Sequence, residues 1–182
     1  MTAPSLHSLA FDLHENQLAA FFPILQKGVT VPASVGCTLR SLLCDQFAIP
    51  AGYVTDRITT IFLDNHPVDD LDRTVVHDGS RVPLSAAMPG LVGATMRRGG
   101  FYAALRQGIS HVADSAVSAD ENGTVRVKLF NLLLAEVGPL VLARGVILEQ
   151  GELAALLNTI TGEWTAPPAS AKQVFLTVQF RM

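Results

Sequence analysis

The sequence predicts an α+β fold in two regions: an N-terminal unit over 16–93 with the element order β-β-α-β-β, and a smaller α+β region over 94–182 packed against it. Three patterns carry that reading. Residues 57–63, Arg-Ile-Thr-Thr-Ile-Phe-Leu, are rich in β-branched and aromatic side chains and stop at the turn formers Asp64, Asn65 and Pro67. Leu39, Leu42, Leu43 and Phe47 recur at helical spacing behind Thr38, a side chain suited to an N-cap. Residues 124–130 and 173–180 alternate apolar and polar positions as half-buried strands do.

In chain order, 17–22 is short and apolar, Pro23 breaks it, and 28–31 alternates before Pro32. These two runs are expected to pair as a first hairpin. The helix over 38–47 follows and is expected to end at Pro50 and Gly52. Strand 57–63 leads through 68–76 to a tight turn at Asp78-Gly79-Ser80, after which 81–84 resumes the extended pattern. A sheet of this kind buries one face under its helix, which gives so short a unit its own core.

In the second half, 101–108 leans toward extended structure. Asn122-Gly123 is expected to turn a hairpin between 112–119 and 124–130, because Asn-Gly readily takes the positive φ values of a type I′ turn. Residues 131–137 read as strand or helix, stopped in either case by Gly138-Pro139. The run 145–148 reads as a short buried strand, 152–160 as a helix and 173–180 as a closing strand, with 162–172 joining the last two. Residues 91–100 are too apolar for a solvated tether, so the two regions are expected to pack together.

Between Thr38 and Leu91 the chain carries TLRSLL at the helix start, then IFLDNHPVDDLDRTV, then HDGSRVPLSAAMPG. In that order these resemble the ubiquitin-like sulphur carriers, namely the small subunit of molybdopterin synthase and the thiamine-pathway sulphur carrier. The resemblance implies a ubiquitin-like β-grasp fold for 16–93 and a link to sulphur transfer. In that family the last strand runs into a tail ending in Gly-Gly, whose carboxylate is adenylated and then thiolated. Here the matching position falls near Pro89-Gly90-Leu91 and the chain continues to Met182, so no carboxylate stands there. A second Gly-Gly, Gly99-Gly100, would form a carrier-like tail only after cleavage; otherwise the two glycines permit a positive-φ turn.

Composition narrows the function classes. Hydrophobic residues make up 49% of the chain and charged residues 16%, so the apolar surface must be buried or shared with a partner. A formal charge of −3 supplies no positive field for phosphate backbones or anionic lipid, which argues against nucleic acid and membrane as partners. Residues 1–14 hold no cationic and apolar leader pattern, so cytoplasmic residence is expected. The apolar stretch 132–148 is interrupted by Glu136, Pro139 and Arg144, and reads as a buried segment rather than a span.

No nucleophile elbow, phosphate loop, metal-ligand spacing or dinucleotide fingerprint occurs, so neither catalytic residues nor a cofactor or metal is expected. Cys37 and Cys44, seven apart near a helix, read as small buried thiols that cannot bridge. Asp69, Asp70 and Asp72 beside Arg73 read as a solvated turn, and His111 near Asp114 as a surface pair. The one suggestive cluster is Arg97, Arg98, Tyr102 and Arg106, with Arg126 and Lys128 on the later strand. Guanidinium groups close to glycines can form an anion pocket, while the same residues on an exposed surface need no ligand.

The expected function is therefore a non-catalytic protein-binding or assembly module that presents a sheet surface to another protein or to a second copy of itself. Phe21, Phe22, Tyr53 and Phe62 are apolar residues for that surface, or else part of the core. The resemblance implies an alternative, an accessory role in sulphur transfer or in molybdenum-cofactor or thiamine metabolism. A binder of small anions at Arg97, Arg98 and Arg106 is a third reading.

Overall fold

Strand β1 (His7–His14) opens the chain in the computed structural model, which describes residues 6–112, 121–162, 164, 167 and 171–182. The expected first hairpin does not follow. A 3₁₀ turn over Glu15–Phe21 runs into α1 (Phe22–Lys27), and Leu18, Phe21 and Leu25 are buried at the three-to-four spacing of a helical face. Pro23 lies in the first turn of α1, where its missing N–H leaves no bond unmade, so it starts a helix rather than breaking a strand.

The helical spacing behind Thr38 is realised. After β2 (Val29–Val35), the Thr38 hydroxyl accepts from the Ser41 N–H at 3.2 Å, α2 (Leu39–Ser41) passes into a π-helical stretch over Leu42–Gln46, and Leu39, Leu42, Leu43 and Phe47 enter the core. This helical stretch ends at Gln46, ahead of Pro50 as expected, and Pro50 is then the N-cap of a further helix, α3 (Ala51–Asp56), which contains Gly52. Strand β3 (Thr60–Leu63) turns at Asp64 and Asn65, with φ values of 48° and 72°, into the short β4 (His66–Pro67), and β5 (Arg81–Ser85) follows.

Next come α4 (Gly90–Met96) and a 3₁₀ helix over Phe101–Arg106, where extended structure was expected. Ala103, Ala104 and Leu105 favour helical backbone, and a window this short carries no period to reveal it. The remaining elements are β6 (Glu121–Phe130), α5 (Leu133–Glu136), α6 (Gly138–Arg144), β7 (Val146–Glu149), α7 (Gln150–Leu157) and β8 (Gln173–Arg181).

These strands form one eight-stranded mixed sheet in the order β1-β8-β7-β2-β6-β5-β3-β4. Pairs β1/β8 and β5/β6 are parallel and the others antiparallel. Strand β6 lies between β2 and β5, so the two halves of the chain share a sheet. Asn122 and Gly123 do not turn a hairpin: they lie inside β6, opposite Ser34 and Ala33 of β2. A Cβ on Gly123 would stand 2.9 Å from both the Asp78 carboxylate and the Val35 side chain, so this glycine serves close approach. Apart from Val112, the expected partner run 112–119 lies outside the described residues.

A local pattern occurs twice. Helices α1 and α6 each carry a proline in the first turn and each end on a glycine, Gly28 and Gly145, with φ values of 106° and 105°. Each glycine is followed at once by a strand, and β2 and β7 pair at Thr30 and Ile147, both two residues past their glycine. Alternate residues of the sheet, among them Val31, Val82, Val127 and Leu176, join the helical leucines in one core. Among the described residues no helix is long and apolar enough to cross a membrane.

Candidate functional site

The segment after β5 is a strap tied at its start to Asn131 and then to the exit of α3, to β4 and to the turn after β4. Its start is fixed from β6: the Asn131 amide, held at φ 57°, donates to the Ser85 hydroxyl at 3.1 Å and to the Ala87 carbonyl. Gly93 in α4 approaches so closely that an added Cβ would fall 1.9 Å from the Met88 carbonyl oxygen.

Two arginines then fasten it. The Arg98 N–H donates to the Thr59 carbonyl at 2.7 Å, and its guanidinium donates to the carbonyls of Val54, Thr55 and Ile58. These are the last acceptors of α3 and its exit, where a cation also meets the negative end of the helix. Burial pulls the Arg98 guanidinium below its ordinary pKa. Arg106 is buried; it forks onto Asp69 at 2.9 and 2.7 Å, donates from Nε to the Thr95 carbonyl at 2.7 Å, and donates to the Ser110 hydroxyl at 2.7 Å. Beyond it, the His111 N–H donates to the Pro67 carbonyl at 2.8 Å, and a ring nitrogen of His66 lies 3.1 Å from the Ile109 carbonyl.

The sequence-predicted residues Arg97, Arg98, Tyr102 and Arg106 are thus brought onto one segment. Arg98 and Arg106 spend their donors on backbone and on Asp69, while Arg97 and Tyr102 are exposed. Arg126 and Lys128 stand elsewhere, opposite Arg81 and Pro83 on β5. The aspartate turn is also organised by its bonds: Asp69 holds Arg106, Asp70 accepts from the N–H groups of Asp72 and Arg73, and Asp72 pairs with Arg40. That pairing holds the Asp72 carboxyl below the usual range and raises Arg40. The Cys37 thiol donates to the Ser34 carbonyl at 3.2 Å, and burial pushes the half-buried Cys44 thiol up. The suggested neighbour of His111, Asp114, lies outside the described residues.

Turning its polar groups inward, the strap turns its apolar ones out. Among the described residues, the large exposed apolar side chains apart from Leu6 and Met182 all fall between Met88 and Leu132. Phe101 is 91% exposed, Leu105 74% and Leu91 71%. Where the strap leaves β5, a cavity of about 280 Å³ opens between Thr60, Phe62, Pro83, Ser85, Met88 and Phe130. The Thr60 hydroxyl is buried there and has no hydrogen-bond partner among the described residues.

Of the four aromatics expected at a binding surface, Phe62 lines this cavity, Phe21 is fully buried, Phe22 is half-buried against the core, and the Tyr53 hydroxyl donates to Glu136. Sequence reading missed Thr60, Met88 and Asn131; an Asn followed by leucines carries no signal for a left-handed residue that ties two strands. Among the described residues no three His, Cys, Asp or Glu side chains gather as a metal site. Compared with known proteins, the chain matches no family model, no curated protein and no solved structure.

Proposed function

We propose that this protein is a non-catalytic protein-binding module and that the strap between Met88 and Val112, with the Thr60 cavity beside it, is its docking surface. One observation carries the reading: a segment fastened by buried polar bonds holds Leu91, Phe101 and Leu105 in water. A lone exposed leucine needs no explanation, but a run of large apolar residues on one braced segment marks an interaction site.

The β-grasp part of the reading is supported by strand order. Taken alone, β2-β6-β5-β3-β4 has a parallel central pair, β6 and β5, with antiparallel neighbours and the 39–56 helical segments packed into the same core. In this view the strand that a ubiquitin-like chain supplies first comes here from later in the sequence, as β6. The accessory role in sulphur transfer draws on a further point: the strap begins where a carrier's tail leaves its last strand, and it replaces a mobile reactive end with a braced apolar one. That reading predicts co-purification with an adenylating or synthase subunit.

The test is capture of bound protein from the native cell by wild type and by Leu91→Asp and Leu105→Asp. Both positions are exposed, so the variants are expected to keep the wild-type circular dichroism and melting temperature. Loss of capture by tenfold or more is the expected result, on the order expected for a hot-spot side chain. Undiminished capture by both variants would remove the docking reading.

A further inference from the structure

We propose that the partner at this surface is a second copy of the chain, joined about a two-fold axis so that the Phe101–Tyr102 pair of each copy seats in the Thr60 cavity of the other. This rests on the docking reading above and names its partner.

Area is the first argument. The exposed apolar side chains between Met88 and Leu132 present on the order of 1,000 Å², against the roughly 800 Å² per partner that a standard interface buries. Charge is the second. Residues 86–112 contain three arginines and no carboxylate, and Arg98 and Arg106 are turned inward onto the protein's own acceptors. Arg97 is the one cation of the segment left at the surface, so two straps approach without a field of like charges between them, and an acidic partner finds little to pair with.

Shape is the third. The cavity has apolar walls from Phe62, Pro83, Met88 and Phe130. Such a site selects an aromatic body. The strap carries one ready made: Phe101 and Tyr102 meet edge to face at 5.1 Å and 90°, and both are exposed. The other tyrosine, Tyr53, is committed to Glu136. Projection and cavity lie at different places on one molecule, so a two-fold axis makes both contacts at once and closes the assembly as a dimer.

Sedimentation velocity of the full chain from ~1 to ~100 μM reads the association directly. Wild type is expected to form dimers, while Phe101→Asp and Ala87→Lys, the latter on the cavity wall, are each expected to remain monomeric with wild-type melting temperatures. An equimolar mixture of the two variants is expected to recover a dimer. It contains one native contact and one contact between the introduced carboxylate and the introduced ammonium. A wild type that stays monomeric throughout, or dimers untouched by both substitutions, overturns the assignment. A monomeric wild type whose captured proteins are still lost on Leu91→Asp overturns the second-copy assignment alone and leaves the docking reading standing.

Discussion

Arg106 and Asp69 join the strap to the turn after β4 through two charge-assisted contacts of 2.9 and 2.7 Å, with the guanidinium 2% exposed and the carboxylate 45% exposed. Between Ala86 and Val112 the described residues bury only Gly93 and Arg106, so hydrogen bonds rather than apolar packing hold this segment down. Removing the acceptor leaves a buried cation with the Thr95 carbonyl and the Ser110 hydroxyl as its remaining close acceptors. Asp69→Ala is expected to destabilise the strap by about 2 kcal/mol, less than for a fully buried pair because Asp69 is half exposed. Hydrogen exchange should show faster exchange across 88–112 while β2 and β6 stay protected. Equal loss of protection in strap and sheet would contradict a strap that opens by itself.

The paired glycines differ in what stands beside them. A Cβ on Gly145 would lie 2.2 Å from the Phe175 ring, whereas on Gly28 the nearest atom, 2.9 Å away, belongs to the flexible Lys128 side chain. Both have φ near 105°, a backbone conformation costing an L-residue about 1–3 kcal/mol. Gly28→Ala is therefore expected within that range and Gly145→Ala above it, because the rigid half-buried Phe175 ring yields less readily than a lysine stem. Gly151→Ala in α7 meets open space and is expected to stabilise by up to ~1 kcal/mol. Urea denaturation of the three variants checks the order.

Much of the fold was legible where burial and period coincide. Leu39, Leu42, Leu43 and Phe47 announced their helix, and the closing strand 173–180 announced itself by alternation. The first hairpin misled because Pro23 breaks a strand and starts a helix with the same ring, and only the buried Leu18, Phe21 and Leu25 distinguish the two. Asn122-Gly123 misled because its glycine answers to Asp78 and Val35, residues far off in sequence. The arginines of the strap were visible, but their direction was not: a sequence shows charge and cannot show that Asp69 and the α3 carbonyls already face it.

The pair Arg40–Asp72 offers a contrast with Arg106–Asp69. Both of its side chains are well exposed to solvent, so screening removes most of its value. Asp72→Asn is expected to cost no more than ~1 kcal/mol at neutral pH. Because Arg40 holds the Asp72 pKa below its ordinary value, what the pair contributes is present above the usual carboxylate range and lost as pH falls through the lowered value. Wild type and Asp72→Asn should then have the same urea midpoint in strong acid and differ slightly at pH 7; a large difference at either pH contradicts the exposed geometry.

Tyr53 on α3 donates to Glu136 on α5, and Arg57 donates to the same carboxylate at 3.2 Å, so this triad ties the N-terminal helices to the second half of the chain. Burial and then the hydrogen bond to Glu136 push the Tyr53 pKa up to about 12, while that same bond, followed by Arg57, holds Glu136 below its usual range. For the tyrosine, the folded state favours the protonated form. Its contribution is complete below the unfolded value near 10 and disappears as pH rises through about 12. For the carboxylate the sign reverses: its contribution is present above the unfolded value and is lost as pH falls through the lowered one. The chain has two tyrosines, so a Tyr102→Phe background isolates the phenolate absorbance of Tyr53. Its midpoint is expected near pH 12 and should move back toward the ordinary value in Glu136→Gln, where a neutral amide no longer opposes the phenolate; a midpoint near 10 before that second substitution would show that Tyr53 and Glu136 do not meet in solution.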